Sequence, residues 1–514
     1  MILTAAALAL LLQQQPERFP AKPEQDARRY ELDLRVDLDA QQLHGTVVYT
    51  FTALQDLTSI RLDAKRSADW TVRFTTMSGQ PIEAEWHAEH CIVPLARTAA
   101  KGSDVRFRAE LSGRPVDGFY FQKNRYGAPM AFTDHYSIRA RGWLPCEDHP
   151  SDRAVFVTTL RCASDQQAVA FGLSQGVLGP AEKGYVSRRF VGGSEIPPYM
   201  YALVVGPLER VAEAGDPRLV DHFVYPEDVA KAKRSLVHHA AWIAAMEATF
   251  GAYPYGKYTT VQCPTRWGGF EAPGNVQLAE GLFDRGGVGT LAHELVHMWF
   301  GDAIGYAAWR EVWLSEGFAS YFGPWLHART GGPTLQQSLA NLRERWRNSF
   351  EGRTKTIRDD RFAHPDQALN ANTYPKGAWV LHMLRGEVGD EAFFAALKAY
   401  VAQFRGQSIT TRQFVACIEQ QTGEELSWFF DQWLDRVGCP TLQVARTSTG
   451  LRIEQIQKGA PYRCWLRLRW QGQDGRPAER RVRLDGARTD VAIDGPCDEL
   501  QLDPDVELLF RSAK

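Results

Sequence analysis

Between residues 30 and 38 apolar and charged side chains alternate without a break. Tyr30, Leu32, Leu34, Val36 and Leu38 are separated by Glu31, Asp33, Arg35 and Asp37. A period of two puts the apolar set on one face of a strand. The stretch from Gly45 to Phe51 repeats the pattern less strictly, and pairs such as Ser78-Gly79 and Ser112-Gly113 punctuate the runs as turns. Up to about residue 212 the pattern predicts a large, mostly antiparallel β domain. From Glu227 to Phe250 the period becomes helical, and further helical stretches follow around 335–349, 374–388, 391–404, 411–420 and 424–434. Alternation returns at Leu466, Leu468 and Trp470, interleaved with arginines, with a turn over 472–476. The expected organisation is a candidate signal peptide over 1–15, a β domain over 16–212, an α/β domain over 213–437 and a small β sandwich-like module over 438–514. No internal repeat or low-complexity segment interrupts it.

Composition narrows the class. A chain of 514 residues with 44% hydrophobic content, 15 Trp, 17 Tyr and 26 Phe has material for several packed cores and little for extended disorder. Net charge is −2 with both signs mixed throughout, so no basic tract points to nucleic acid or lipid headgroups as partners. The eight cysteines show no CxxC spacing, which leaves no sulfur-ligated zinc or redox motif. Cys464 and Cys497 share the C-terminal module, as a disulfide in an oxidising compartment or as two buried thiols. The apolar run Met1–Leu12 is too short to span a bilayer and fits the h-region of a signal peptide, although no Lys or Arg precedes it. Export is therefore the expectation, with a cytoplasmic protein following if that run is not a leader. No later stretch reads as a membrane span.

The chemistry centres on His293-Glu294-Leu295-Val296-His297. Residues four apart share a helix face, so both imidazoles can meet one metal ion while Glu294 stands beside it as a general base. A catalytic zinc takes three protein ligands and leaves a fourth position for water. Glu316, with eighteen residues between it and His297, supplies the third from a second helix. One Zn2+ per chain is expected. The alternative is a buried amphipathic helix whose histidines are merely hydrogen-bonded.

The segment His293–Asp302 followed by Trp313–Tyr321 resembles the gluzincin aminopeptidases of the M1 family, a group that includes leukotriene A4 hydrolase-like and compact bacterial members. Three further segments carry the resemblance. Gly268-Gly269-Phe270-Glu271-Ala272 is similar to the family's G-x-M-E-N motif, Tyr374-Pro375-Lys376-Gly377 to its Y-x-K-G motif, and Trp143–Asp152 to its P-C-x-D-x-P segment. Pro197–Gly206 and Phe429–Pro440 are also family-like. The resemblance implies a multidomain α+β protein: an N-terminal antiparallel β domain, a thermolysin-like α/β catalytic domain and a small C-terminal β domain, without the large helical C-terminal domain of many members. It implies that Gly268 and Gly269 let substrate backbone approach a strand edge, that Glu271 neutralises the substrate's α-ammonium group, and that Tyr374 donates to the oxyanion.

Several positions depart from the family. Phe270 stands for Met, and Ala272 for Asn, which removes a polar side chain near the amine anchor; Asn275 is a candidate to compensate, and Glu280 is a rival carboxylate. The Gln or Glu that the β domain usually adds to the amine site is absent from Thr133–Arg139, where Asp134 or Tyr136 is the candidate replacement. Asp302, in place of Asn, is a candidate for orienting a zinc-bound histidine. Asp148 and His149 lack ligand spacing and are read as structural. The expected activity is zinc-dependent removal of N-terminal residues from peptides. The rivals are a zinc peptidase without strict N-terminal preference or with epoxide hydrolase activity, and a non-catalytic peptide-binding scaffold, which retention of Glu294 and all three ligands disfavours.

Overall fold

The computed structural model describes residues 19–513 apart from 180–181, 214–219, 473–474 and 494–498. The apolar run at the N-terminus and Cys497 lie outside the described residues. Among these residues no helix is long and apolar enough to cross a membrane.

The first layer is an eight-stranded sheet built around strand Gln25–Asp37. That strand pairs antiparallel with Gln42–Ala53 and parallel with Val155–Ala163, the one parallel contact in an otherwise antiparallel sheet. Its alternation does what a period of two dictates: Tyr30, Leu32, Leu34 and Val36 are buried, and the charged residues between them are half-buried. Aromatic rings fill the core, with Tyr30 stacked on Phe156 and Tyr49 on Phe107, each pair 4.9 Å between centroids. The segment Cys146–Asp148 closes this domain through charge: Lys22 bridges Asp63 and Glu147 at 2.6 Å each, and Arg141 Nε donates to Asp148 at 3.0 Å. Asp148 is thus tied to an arginine in the β domain, in keeping with a structural role.

The second unit is a five-stranded sheet, in the order Glu209–Val211, Val220–Val224, Tyr258–Cys263, Val276–Ala279, Gly269–Phe270, packed against helices. Gly269–Phe270 lies at the open edge and pairs antiparallel with Val276–Ala279. Helix Val288–His297 packs against that edge, Trp313–Arg329 packs on this helix, and Gly377–Val388 packs on Trp313–Arg329 in turn. They approach closely because glycine stands at each crossing. A Cβ on Gly323 would lie 3.0 Å from Cα of His293, and one on Gly377 would lie 2.8 Å from Cα of Gly317. Two helical expectations are refined. The stretch 227–250 is two helices, Val229–Ser235 and His239–Phe250, with Val237 exposed at the break. The helix expected from residue 374 opens with a π-turn over Asn372–Lys376, where Pro375 has no N–H to continue an α-helical ladder.

Beyond residue 440 two small sheets pack together. One holds Arg488–Ala492, Gly450–Gln455, Thr441–Thr447 and Arg511–Ser512; the other holds Pro477–Leu484, Cys464–Gln471 and Gln501–Leu502. Leu466, Leu468, Ile453 and Leu451 are buried here and belong to the same continuous apolar core as Trp313 and Trp379. Cys464 is a buried free thiol.

Candidate active site

His293 and His297 sit four residues apart at the end of helix Val288–His297, and their Nε2 atoms lie 3.2 Å apart. Glu316, in the first turn of Trp313–Arg329, brings its Oε2 to 3.3 Å from Nε2 of His293 and 3.5 Å from Nε2 of His297. This oxygen is buried and accepts no hydrogen bond. Donors about 2.1 Å from a tetrahedral ion stand about 3.4 Å apart, so two nitrogens and an orphaned carboxylate oxygen at these separations fit a zinc ion. The same three residues form one of the clusters, among the described residues, whose chemistry suits a metal.

The far side of His297 is held by protein. Its Nδ1 lies 2.9 Å from Ser315 Oγ and 3.2 Å from the Phe300 carbonyl oxygen. Asp302 does not orient either histidine. Gly301 takes φ +121°, the chain turns there, and Asp302 contacts His297 only through its backbone N–H, 3.0 Å from the His297 carbonyl. Its carboxylate oxygens have no hydrogen-bond partner among the described residues, while its carbonyl accepts from Arg153 at 2.8 Å. Ser315 had no role at the level of sequence. Its one visible signal is its place directly before Glu316.

The Glu294 carboxylate lies against the edge strand and within 4.8 Å of His297 and Glu271. Gly269 makes room for it: a Cβ there would fall 2.2 Å from Glu294 Oε1. The glycine of the edge motif therefore leaves room for the Glu294 carboxylate. Burial pushes the Glu294 carboxyl well above the ordinary range; His297 opposes this, and Glu271 and Glu316 add to it. Tyr374 donates its hydroxyl to Glu316 Oε1 at 2.8 Å, and its ring stacks on His293 at 6.0 Å. Burial, followed by the charge of Glu316, keeps this hydroxyl protonated far beyond neutrality.

These groups line one cavity of about 370 Å³ together with Tyr136, Trp267, Gly268, Phe270, Glu271, Thr290, Arg345 and Leu369. Glu271 is 6% exposed and lies among the tyrosines of the β domain; burial raises its pKa, and His297 opposes the rise. Tyr136 is 2% exposed with a hydroxyl that has no hydrogen-bond partner among the described residues. Of the two candidates from the β domain, Tyr136 therefore reaches the cavity. Asp134 stands behind it, accepting from Trp267 Nε1 at 3.1 Å. Ala272 is fully buried in the β-domain core and does not line the cavity. Asn275 is turned away as well, donating to the Val169 carbonyl at 3.1 Å. Glu280 is occupied elsewhere, accepting from Tyr225 at 2.9 Å and from the Arg125 backbone at 2.8 Å.

A second buried cluster, Glu213 with His222 and His239, also has metal-type chemistry. Hydrogen bonds occupy most of its polar atoms, and His239 Nε2 is buried without a hydrogen-bond partner among the described residues. Glu213 Oε2 lies 2.8 Å from His239 Nδ1 and 3.2 Å from His222 Nε2, the other oxygen accepts from Ala240 N at 2.9 Å, and His222 Nδ1 meets Thr260 at 2.8 Å. It ties the chain after the β domain to helix His239–Phe250.

Two family models match the chain. A family model described as the peptidase M1 N-terminal domain matches residues 26–191, and one described as the peptidase family M1 domain matches residues 235–433. Aminopeptidase M1-D of Oryza sativa is 27% identical over 88% of this chain and 54% of its own length. Tricorn protease-interacting factor F2 of Thermoplasma acidophilum is 25% identical over 83% of this chain and 55% of its own. The chain thus spans about half the length of these curated relatives. Among solved structures, the M1 zinc metallopeptidase of Deinococcus radiodurans superposes with a TM-score of 0.69 at 26% identity, over 81% of this chain and 95% of that one. A mutant of that peptidase bound to a Tyr-Ser-Ala substrate gives 0.66 at 27% identity, again covering 81% and 95%.

Proposed function

We propose, from the premise that the chain belongs to peptidase family M1, that it is a zinc-dependent aminopeptidase acting on the free N-terminus of peptides. One observation carries this reading. The cavity lined by His293, His297 and Glu316 is lined as well by the buried carboxylate of Glu271, which comes within 4.8 Å of both Glu294 and His297.

His293, His297 and Glu316 hold one zinc ion, oriented through the contact of Ser315 with His297. Zinc there supplies Lewis acidity toward a scissile carbonyl and toward water, whose pKa such ions lower to about 7. The chain's own groups do the rest. Gly268, Gly269 and Phe270 offer the edge of a sheet to the substrate backbone, with no side chain on the two glycines to hold it off. Glu271 pairs with the α-ammonium group, and this contact sets the register so that the first peptide bond meets the metal ligands. Glu294 takes a proton from the attacking water and delivers it to the leaving amine. Tyr374, kept protonated by burial, turns its hydroxyl from Glu316 to the developing oxyanion. Tyr136, Trp267 and Leu369 form largely apolar walls for the first side chain.

The test is hydrolysis of a mixed peptide set, unblocked and N-acetylated, with and without a zinc chelator, read by mass spectrometry. The reading expects stepwise loss of N-terminal residues from the unblocked set alone, abolished by chelation. Equal cleavage of both sets would remove Glu271 from its role. Metal analysis of the purified protein should return one zinc per chain, lost in His293→Ala.

A further inference from the structure

The cavity wall carries three carboxylates, Glu271, Glu294 and Glu316, and a single guanidinium, Arg345. All three are buried, and Glu271 comes within 4.8 Å of Glu294. Arg345 is different in every respect. It is exposed, it stands on helix Leu335–Arg347, and it makes no hydrogen bond or ion pair among the described residues. Its neighbours on the helix are occupied: Glu344 pairs with Arg347 at 2.6 Å, and Arg343 pairs with Asp503 and with the Leu508 carbonyl. The backbone that carries Arg345 is nonetheless fixed against the catalytic segment. The adjacent Trp346 is fully buried and donates its Nε1 to Asn372 at 2.8 Å, in the same π-turn that presents Tyr374. Asn372 in turn donates to the carbonyls of Glu351, Lys355 and Thr356.

Glu271 is buried and Arg345 is exposed, so along the shared cavity the arginine stands on the solvent side of the carboxylate. A peptide held by its amine at buried Glu271 runs from there toward solvent, and its C-terminal part comes to the side of the cavity that Arg345 lines. We propose that Arg345 receives a carboxylate of the substrate on the C-terminal side of the cleaved bond, which makes short peptides with a free C-terminus, or peptides acidic at the following position, the preferred substrates. A guanidinium suits this task because its planar donors match a carboxylate in two parallel hydrogen bonds. This inference rests on the aminopeptidase reading for its substrate class.

Three ligands separate the sources of the carboxylate: Leu-Ala-Ala, its C-terminal amide, and Leu-Asp-Ala-amide. Their affinities are measured by calorimetry on zinc-loaded Glu294→Gln protein and on the same protein with Arg345→Gln or Arg345→Glu added, with folding checked by circular dichroism. Turnover by the unmutated enzyme is followed in parallel. The expected result is binding roughly five- to tenfold tighter for a carboxylate-bearing ligand than for the plain amide. The preference should vanish in Arg345→Gln, reverse in Arg345→Glu, and weaken with salt. A preference for the free acid assigns the C-terminus, and one for the aspartyl peptide assigns the side chain. Equal affinities for all three ligands, or a preference unchanged in Arg345→Gln, would overturn the inference. The binding preference without turnover would instead remove the aminopeptidase reading and leave Arg345 as a carboxylate site.

Discussion

Tyr374 and Glu316 come from segments 58 positions apart in the sequence, yet the tyrosine hydroxyl donates to Glu316 Oε1 at 2.8 Å while the other carboxylate oxygen faces both histidines. One carboxylate thus joins the metal-type cluster to the hydroxyl proposed as the oxyanion donor. Removing the hydroxyl by Tyr374→Phe should lower kcat by about 10²–10³ with little change in KM. Zinc content should stay at the unmutated level, because the phenol is not among the ligands. Steady-state kinetics with metal analysis checks both, and a rise in KM with unchanged kcat would recast Tyr374 as a binding residue.

The Tyr374–Glu316 contact depends on two glycines. Gly317 follows Glu316, Gly377 closes the Tyr374 segment, and a Cβ on Gly377 would sit 2.8 Å from Cα of Gly317. In a solvent-facing helix Gly→Ala stabilises by about 1 kcal/mol. At this crossing the clash with backbone reverses the sign. Gly377→Ala should destabilise by about 1–3 kcal/mol in denaturant unfolding and lower kcat by moving Tyr374.

Ser315 holds the far side of His297 at 2.9 Å. Ser315→Ala removes that partner and leaves the Phe300 carbonyl alone to orient the ring. Zinc affinity should fall by about tenfold or more, measured by competition with a chromophoric chelator. Asp302→Asn should leave it unchanged, since the Asp302 carboxylate touches neither histidine.

Lys376 gives the pH dependence. It is fully buried, with its ammonium group held by the Arg436 carbonyl at 3.1 Å and near the face of Trp346. Burial lowers its pKa from 10.5 to about 8. Below pH 8 the folded and unfolded chains both carry the proton, and the cost of the buried charge is felt in full. Between about 8 and 10.5 only the unfolded chain is protonated, so this group's contribution to the unfolding free energy rises with pH, by about 3 kcal/mol over the whole span. Unfolding of the unmutated protein and of Lys376→Met at pH 7.5, 9 and 10 should show that difference narrowing in favour of the unmutated protein as pH rises.

What could be read from the chain was what repeats or keeps a fixed spacing. The alternation from Tyr30 to Leu38 marks a buried strand because a strand has only two faces. His293 and His297 mark a shared site because a helix returns to the same face in four residues. The partners that meet through tertiary packing had no such signature. Ser315 replaced Asp302 behind His297 because the turn at Gly301 directs the next side chain elsewhere. Ala272, the departure that bore most on the amine anchor, is packed into the β-domain core and leaves the cavity untouched. Gly269 was legible as a place where a substrate could approach, but the carboxylate of Glu294 lying against it appears only once the edge strand and the helix are side by side. Arg345 carries no motif, and its place on the cavity follows from how Trp346 is anchored to Asn372.

The central claim is that Glu271 selects the free amine for a reaction at His293, His297 and Glu316. Its most direct test is kcat/KM for one peptide in unblocked and N-acetylated form, on the unmutated enzyme and on Glu271→Gln. The account predicts a preference of 10²-fold or more for the unblocked peptide, a loss of about 2–3 kcal/mol of transition-state binding with that substrate in Glu271→Gln, and no comparable loss with the acetylated one. Equal rates on both peptides in the unmutated enzyme, or a preference that survives in Glu271→Gln, would contradict it.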